Sequence, residues 1–359
     1  MIEARALGAR VGGFALADVS FTVPRGGYGV VIGPAGSGKT TLLETIAGIT
    51  PMTSGTLTLD GQDAKGLAPE QRRVGFVYQH GYLFPHLSVE ENVAYGAPDA
   101  AAALVIARRI GAAELFGRAV RGLSGGERQL VAISRALATR PTVLLLDEPF
   151  SALDPRRRSI VRGEVRTLHR ELGLTVLQVT HDFAEAGLLG DVAILLDRGR
   201  VLQSGPPEVV FQKPATPYVA EFLGAENVFA GEVRVLPELP PDWLPGESGE
   251  LTHENKAIEF RTGRMTIYTV GDGVPGPAHA IIRAGEVVLS HDPALSSARN
   301  RFVGKVSEIA TLGALTRVTL DVGGTPLVAS LTTRSARDLG IRAGDQMWAS
   351  FKAMAVHLC

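Results

Sequence analysis

The sequence predicts two domains of different class, an α/β domain over residues 1–227 and an all-β domain over 228–359. Three observations carry this. A short apolar run, Tyr28-Gly29-Val30-Val31-Ile32, leads into a glycine-rich loop, after which apolar residues at 42, 43, 46 and 47 fall on one helical face. Val143-Leu144-Leu145-Leu146 is an unbroken apolar run of the kind that parallel sheets bury on both faces. The composition then changes near 204–217, where Ser204-Gly205-Pro206-Pro207 and Lys213-Pro214-Ala215-Thr216-Pro217 read as boundary material. Beyond them come short β-like runs separated by Gly, Pro and Asp turns.

Residues 1–32 alternate apolar and polar positions, with turn signals at Gly12-Gly13 and Pro24-Arg25-Gly26-Gly27, and predict two or three strands. A further strand and turn fall at 54–63, and Val74–Gln79 reads as a strand ending in a polar residue. From about 88 to 138 the chain is alanine-rich and helical in character. Leu153-Asp154-Pro155 opens a helix, with Asp154 as N-cap and Pro155 at the first helical position. A strand at 174–179, a helix over Asp182–Leu189 and a strand at 192–196 complete the α/β pattern. In the second domain, runs at 228–235, 257–260, 265–270, 279–289, 301–309, 315–321, 326–331 and 346–357 predict a small barrel. Within it, 228–290 and 298–359 read as a weak internal duplication.

A net charge of −1 gives no electrostatic reason to expect nucleic acid or an anionic membrane surface as the main partner. The single cysteine, Cys359, excludes an intramolecular disulfide framework and a Cys-based zinc site. The N-terminus lacks the charged start and apolar core of a signal peptide, and no run approaches about 18 consecutive apolar residues. These features predict a cytoplasmic chain and leave membrane attachment through a partner open.

The chemistry is concentrated in the first domain. Gly33-Pro34-Ala35-Gly36-Ser37-Gly38-Lys39-Thr40, set between strand and helix, is a phosphate-binding loop. Its glycines let backbone N–H groups converge on phosphate oxygens, and the helix N-terminus adds partial positive charge. Lys39 can reach the β/γ-phosphates and the Thr40 hydroxyl can ligate Mg²⁺, with Thr41 next in the helix. Asp147-Glu148 closes the apolar strand. Asp147 suits Mg²⁺, and Glu148 can act as general base toward water. Gln79 and His181 each follow a strand, as candidates for the metal and water and for the γ-phosphate. Leu123-Ser124-Gly125-Gly126-Glu127-Arg128-Gln129 offers a second phosphate-binding device at a helix start. One nucleotide site needs only one such device, whereas a dimer can use the second on its partner's nucleotide. The other seven histidines show no metal-ligand spacing.

In order, Gly33–Thr40, Gln79, Leu123–Gln129, Val143–Glu148, Ser151-Ala152-Leu153-Asp154 and His181 resemble the motifs of an ABC-transporter ATPase subunit. The resemblance covers 1–227. It implies an α/β P-loop NTPase domain with a helical signature subdomain at about 83–140, and a head-to-tail homodimer holding two ATPs with Mg²⁺. In such a dimer Ser124, Gly125, Gly126 and Asp154 join the nucleotide site. It also implies a transmembrane permease subunit docked on the Gln79–His86 region, where Tyr82, Leu83, Phe84, Pro85 and His86 lie. A substrate-binding protein is then an indirect partner, and the subunit sits on the cytoplasmic face of the membrane. Many relatives stack an early aromatic residue on adenine; the nearest candidate here is Phe14. The segment between Glu91 and Leu123 is short for the family.

In the second domain, Ser297-Ala298-Arg299-Asn300, Leu312–Val318, Ser335–Gly340 and Ala349–His357 resemble the molybdate-binding-type, TOBE-like β domain, an OB-like barrel. That domain accompanies the ATPases of molybdate and tungstate importers. Ser297, Arg299, Asn300 and Lys352 are candidate oxyanion ligands. Met354 stands where the family often has a hydroxyl residue. A barrel that only packs the dimer together is the other reading of this domain. Sulfate, ferric iron, polyamine and sugar importers share the two-part architecture. A soluble nucleotide-dependent factor would call for fused ATPase units or coiled-coil insertions, which the sequence lacks.

Overall fold

The computed structural model describes residues 1–236, 256–271, 273–293 and 296–359. They divide into two compact units, Met1–Val210 and Phe211–Cys359.

The first unit opens with the expected alternation. β1 (Ile2–Val11) and β2 (Phe14–Val23) form a hairpin over Gly12-Gly13, and β3 (Tyr28–Ile32) follows with all five residues buried. The phosphate loop leads into α1 (Lys39–Ala47), then β4 (Met52–Leu59), β5 (Gln62–Asp63) and β6 (Val74–Val77). The helical stretch comprises α2 (Val89–Ala94), α3 (Ala100–Ile110) and α4 (Gly125–Ala138), with two short 3₁₀ turns between α3 and α4. After it come β7 (Val143–Asp147), α5 (Pro155–Leu172), β8 (Thr175–Val179), α6 (Phe183–Leu189), β9 (Val192–Asp197) and β10 (Arg200–Gly205). Helix α7 (Pro207–Gln212) spans the boundary.

Two sheets result. An antiparallel one has the order β2-β1-β4-β5. The other runs β10-β9-β3-β8-β7-β6, with β9, β3, β8, β7 and β6 mutually parallel and β10 an antiparallel edge. Between the sheets, α1 buries Leu42, Leu43 and Ile46 against Ile2, Phe21 and Leu57 on one side and Leu145, Leu177 and Ile194 on the other. Each such side chain stabilises the unit by about 1.5–3 kcal/mol. This packing fixes the first turn of α1, and so the phosphate loop, against the sheet edge.

The second unit holds α8 (Pro217–Phe222), β11 (Asn227–Val235), β12 (Lys256–Thr262), β13 (Met265–Gly271), β14 (Gly276–Ile282) and β15 (Val288–Ser290). It continues through β16 (Asn300–Leu312), β17 (Leu315–Val322), β18 (Thr325–Thr332), α9 (Thr333–Asp338), β19 (Gln346–Phe351) and β20 (Val356–Leu358). The unit has the all-β, OB-like class expected. The runs expected as continuous at 279–289 and 346–357 are each broken by a 3₁₀ turn, Ala284–Glu286 and Ala353–Ala355. Apolar composition continues through both turns, so periodicity gave no sign of the break.

Those breaks explain the duplication. The two sheets are β13-β12-β11-β14-β20 and β18-β17-β16-β19-β15. Each contains four strands of one half and the last short strand of the other. Ala280-Ile281-Ile282-Arg283-Ala284 and Ala349-Ser350-Phe351-Lys352-Ala353 occupy the same place in the two halves. So do the buried Asn227 and Asn300, at the starts of β11 and β16. Asn227 exchanges two hydrogen bonds with the Val328 backbone in β18, at 2.7 and 2.8 Å. Asn300 does the same with Tyr268 in β13, at 2.7 and 2.9 Å. Each half thus clasps the third strand of the other, around a shared core that includes Phe260, Ile267, Leu320 and Phe351.

Candidate functional site

Four adjoining parallel strands, β3, β8, β7 and β6, stop at the same edge of their sheet. The residues that follow their C-terminal ends are the phosphate loop, His181, the Asp147-Glu148 pair and Gln79. Open parallel sheets bind ligands at this edge because the strand ends and helix N-termini converge there. The sequence candidates come together because of strand order, although up to 148 residues separate them.

The phosphate loop is shaped by close backbone approach. A Cβ at Gly33 would lie 1.9 Å from the Leu196 carbonyl oxygen, so only glycine fits. Gly38, with φ 99°, is the N-cap of α1, and a Cβ there would meet the Phe14 ring at 2.5 Å. Phe14, the candidate for adenine, therefore lies half-buried against the loop's helix end and packs on the core. Helices α2 to α6 each carry a side-chain cap, from Ser88, Asp99, Ser124, Asp154 and Asp182, while α1 has none. Its first N–H donors remain for a ligand. Lys39 Nζ folds onto the Gly33 and Pro34 carbonyls at 2.9 and 2.8 Å. Burial lowers its pKa, against the nearby charges of Glu148 and Asp147. Ser37 Oγ is buried without a hydrogen-bond partner. A cradle closed to any Cβ, an uncapped helix start and an orphaned hydroxyl fit a polyphosphate.

At the helix side of the loop, Thr40 Oγ1 donates to Asp147 Oδ2 at 2.7 Å. Burial raises the Asp147 pKa, partly offset by this hydrogen bond. A hydroxyl and a desolvated carboxylate in contact are a hard-oxygen donor set that suits Mg²⁺. Glu148 has φ 44°, a conformation that costs a non-glycine residue about 1–3 kcal/mol. Its N–H donates to Val179 O at 3.0 Å, and its carbonyl accepts from Ser151 Oγ at 2.9 Å, which hold the strained turn. The carboxylate meets His181 Nδ1 at 3.2 Å through Oε1 and accepts from Gln79 Nε2 at 3.3 Å through Oε2. Beside this trio opens a cavity of about 510 Å³, lined by Thr40, Glu44, Tyr78, Gln79, Tyr82 and Asp147 among others.

The signature residues lie at the start of α4. Ser124 Oγ accepts from Glu127 N, and Glu127 Oε2 accepts from Ser124 N, a reciprocal cap. A Cβ at Gly126 would lie 3.0 Å from the Ala152 carbonyl, which places the 151–154 turn against this helix start. Asp154, expected beside nucleotide, uses Oδ1 to cap α5, accepting from the Arg156 and Arg157 N–H groups at 3.1 and 3.0 Å. In the second unit, Ser297, Arg299 and Lys352 are exposed. Asn300 pairs with Phe351 across β16 and β19, so Arg299 and Lys352 leave that ladder at one end. The Asn300 carboxamide, counted among the oxyanion ligands, is buried and engaged with Tyr268 instead.

Two supporting sets escaped the sequence reading. Asn92 donates to the carbonyls of Phe84, Leu87 and Ser88 and accepts from Phe84 N, while Arg135 Nη2 donates to Tyr82 O at 2.5 Å. Together they hold the 82–88 loop. Behind β8, Gln178 and Glu185 are buried and hydrogen-bonded to each other. A glutamine in the middle of the apolar strand 175–179 was the available signal.

A strand–glycine loop–helix unit with carboxylate, amide and imidazole at neighbouring strand ends defines a P-loop nucleoside triphosphatase. The chain belongs to the ABC transporter family of ATP-binding proteins, and it is an ABC-type ATPase. The ABC transporter family model matches residues 16–151 and that of the TOBE domain matches 296–358. The chain is 38% identical to the molybdate/tungstate import ATP-binding protein WtpC of Pyrococcus horikoshii over 353 residues, 96% of each chain. It is 37% identical to the sulfate/thiosulfate import ATP-binding protein CysA of Burkholderia mallei over 372 residues, 99% of this chain and 98% of that one. The ATP-binding cassette MJ0796, solved as a dimer in a post-hydrolysis state bound to ADP and Pi, matches with a TM-score of 0.53 and 30% identity. That match covers 58% of this chain and 99% of the cassette. Among the described residues, no helix is long and apolar enough to cross a membrane.

Proposed function

We propose that this chain is the ATP-hydrolysing subunit of an importer for a tetrahedral oxyanion, molybdate or tungstate. The observation that carries this reading is the likeness to molybdate/tungstate import proteins of two Pyrococcus species, 38% and 37% identical over 96% of this chain. Sulfate is the second reading, favoured by the 37% identity to a sulfate/thiosulfate import protein over nearly the whole chain. The domain boundary at about 227 separates the engine from the part that bears on cargo.

In this reading two copies pair head to tail, and Ser124, Gly125 and Gly126 of each close over ATP held by the phosphate loop of the other. Asp154 serves that closure by fixing the start of α5. Thr40 and Asp147 hold Mg²⁺, with Gln79 alongside, and the ion neutralises phosphate charge. Lys39 leaves its loop carbonyls for the β/γ-phosphates. Glu148 takes the proton of the attacking water, while His181 and Gln79 fix its carboxylate from either side. A transmembrane permease docks at Gln79–His86, with Tyr82 61% exposed there, and places the chain on the cytoplasmic face of the membrane. Ser297, Arg299 and Lys352 are the groups in the second unit that suit an oxyanion.

The test is uptake by cells lacking this gene, offered labelled molybdate, tungstate, sulfate and ferric iron separately. Loss of molybdate and tungstate uptake, restored by wild type and not by Glu148→Gln, is the expected result. Loss of sulfate uptake alone selects the second reading. In the purified protein Glu148→Gln lowers turnover at least about 10²-fold with ATP still bound, whereas Lys39→Ala weakens nucleotide binding. Wild-type turnover in Glu148→Gln would remove Glu148 from the role of base.

A further inference from the structure

Glu185 is 4% exposed and forms no ion pair among the described residues. Burying a carboxylate without a cation is expensive, and the hydrolytic residues named above do not include it. Its surroundings show what it holds. Oε2 accepts from Gln178 Nε2 at 2.7 Å and from Thr180 Oγ1 at 2.8 Å. Gln178 Oε1 in turn accepts from Tyr28 Oη at 2.5 Å, at the start of the strand that feeds the phosphate loop. Having donated its proton to Glu185, Thr180 Oγ1 accepts from Asp182 N at 3.1 Å. The Thr180 N–H donates to Val31 O at 3.2 Å, and Glu185 N donates to Asp182 O at 3.1 Å.

His181 is the residue these bonds enclose. Its side chain is 70% exposed and has no packing of its own to fix it, yet Nδ1 sits 3.2 Å from Glu148 Oε1. We infer that Glu185 is a positioning residue for hydrolysis, which sets His181 against Glu148 by locking the Thr180–Asp182 turn from behind. Burial also raises the Glu185 pKa, in keeping with a carboxylate held by hydroxyl and amide donors and not by a cation. The inference rests on the role proposed for His181.

The experiment measures steady-state ATP turnover, ATP affinity and melting temperature for Glu185→Ala, Glu185→Gln, Thr180→Val and His181→Ala, and for Glu185→Ala combined with His181→Ala. Misplacing a reacting group by about 1 Å can lower a rate about 10²-fold. Glu185→Ala and Thr180→Val are therefore expected to lose turnover by about ten- to a hundredfold, with ATP affinity changed less than about twofold. Glu185→Gln recovers most of the rate, because its single carbonyl oxygen can accept both bonds. In the His181→Ala background Glu185→Ala costs no further turnover, although its effect on melting persists. The inference is overturned if Glu185→Ala turns over normally while His181→Ala does not, or if the two losses multiply. Thr180→Val decides the matter if Glu185→Ala fails to fold. Normal turnover in His181→Ala overturns the role of His181, and this inference with it.

Discussion

In the first unit, parallel strands end together and the polar residue after each strand points at a common space. In the second, antiparallel strands double back, and the polar residues at matching strand starts, Asn227 and Asn300, reach across to close the fold on itself. Both units therefore place polar groups at strand termini, with different results. A parallel sheet leaves its C-terminal edge without a hairpin to cover it, so groups there stay available to a ligand. A twofold antiparallel arrangement satisfies its strand ends internally. Chemistry can be read from strand-end residues in the first case and stability in the second.

The sharpest way to break this contrast is Asp147→Asn. If the first unit keeps Asp147 for a ligand at the expense of its own stability, the substitution removes a buried charge and keeps an acceptor for Thr40. Burial raises the Asp147 pKa, so the folded chain disfavours the carboxylate and stability falls as pH rises through its folded value. At pH 7 Asp147→Asn is expected to raise the melting temperature of nucleotide-free protein while turnover drops at least about 10²-fold. A variant that melts lower than wild type would make Asp147 a structural residue like the two asparagines.

The second unit supplies the converse test. Asn227→Ala and Asn300→Ala each strand a backbone N–H and C=O of the facing strand, at about 1–3 kcal/mol per unsatisfied buried group. The two losses are expected to match, and chemical denaturation of the unit reads them directly. Molybdate should shift both variants and wild type alike. A loss of molybdate response confined to Asn300→Ala would return that residue to the ligand set.

What the sequence disclosed follows the same division. Gly33–Thr40, Gln79, Asp147, Glu148 and His181 were legible because a polar group directly after an apolar run is conspicuous, and because β3, β6, β7 and β8 are short and wholly apolar apart from Gln178 and Thr175. Glu185 was not legible. In a short helix it is one more charged residue, and only the tertiary fold buries it under Thr180. The breaks at 284–286 and 353–355 were hidden by apolar residues on both sides. Asn300 was read by its chemistry as a ligand, and no local pattern showed that Tyr268 would engage it. Asp154 was legible as a helix cap from the proline after it, and the structure bears out that part of its reading.

The smallest effect expected concerns two helix starts within the first unit. The start of α1 is left uncapped, whereas α4 spends its first donors on Ser124 and Glu127. The Glu127 carboxylate accepts from Ser124 N and pairs with Arg118 at 2.5 Å, and these bonds lower its pKa from 4.5 to about 2. Because the folded value is depressed, the contribution is fully present above pH 4.5 and is lost as pH falls toward 2. Glu127 is near the surface, so Glu127→Gln should cost no more than about 1 kcal/mol at pH 7. That difference should shrink steadily between pH 5 and 3, measured by denaturation of both proteins at each pH. A difference that stays constant with pH would mean that the cap does not depend on the charge. Ser124 would then hold α4 alone, leaving its first N–H donors as open as those of α1.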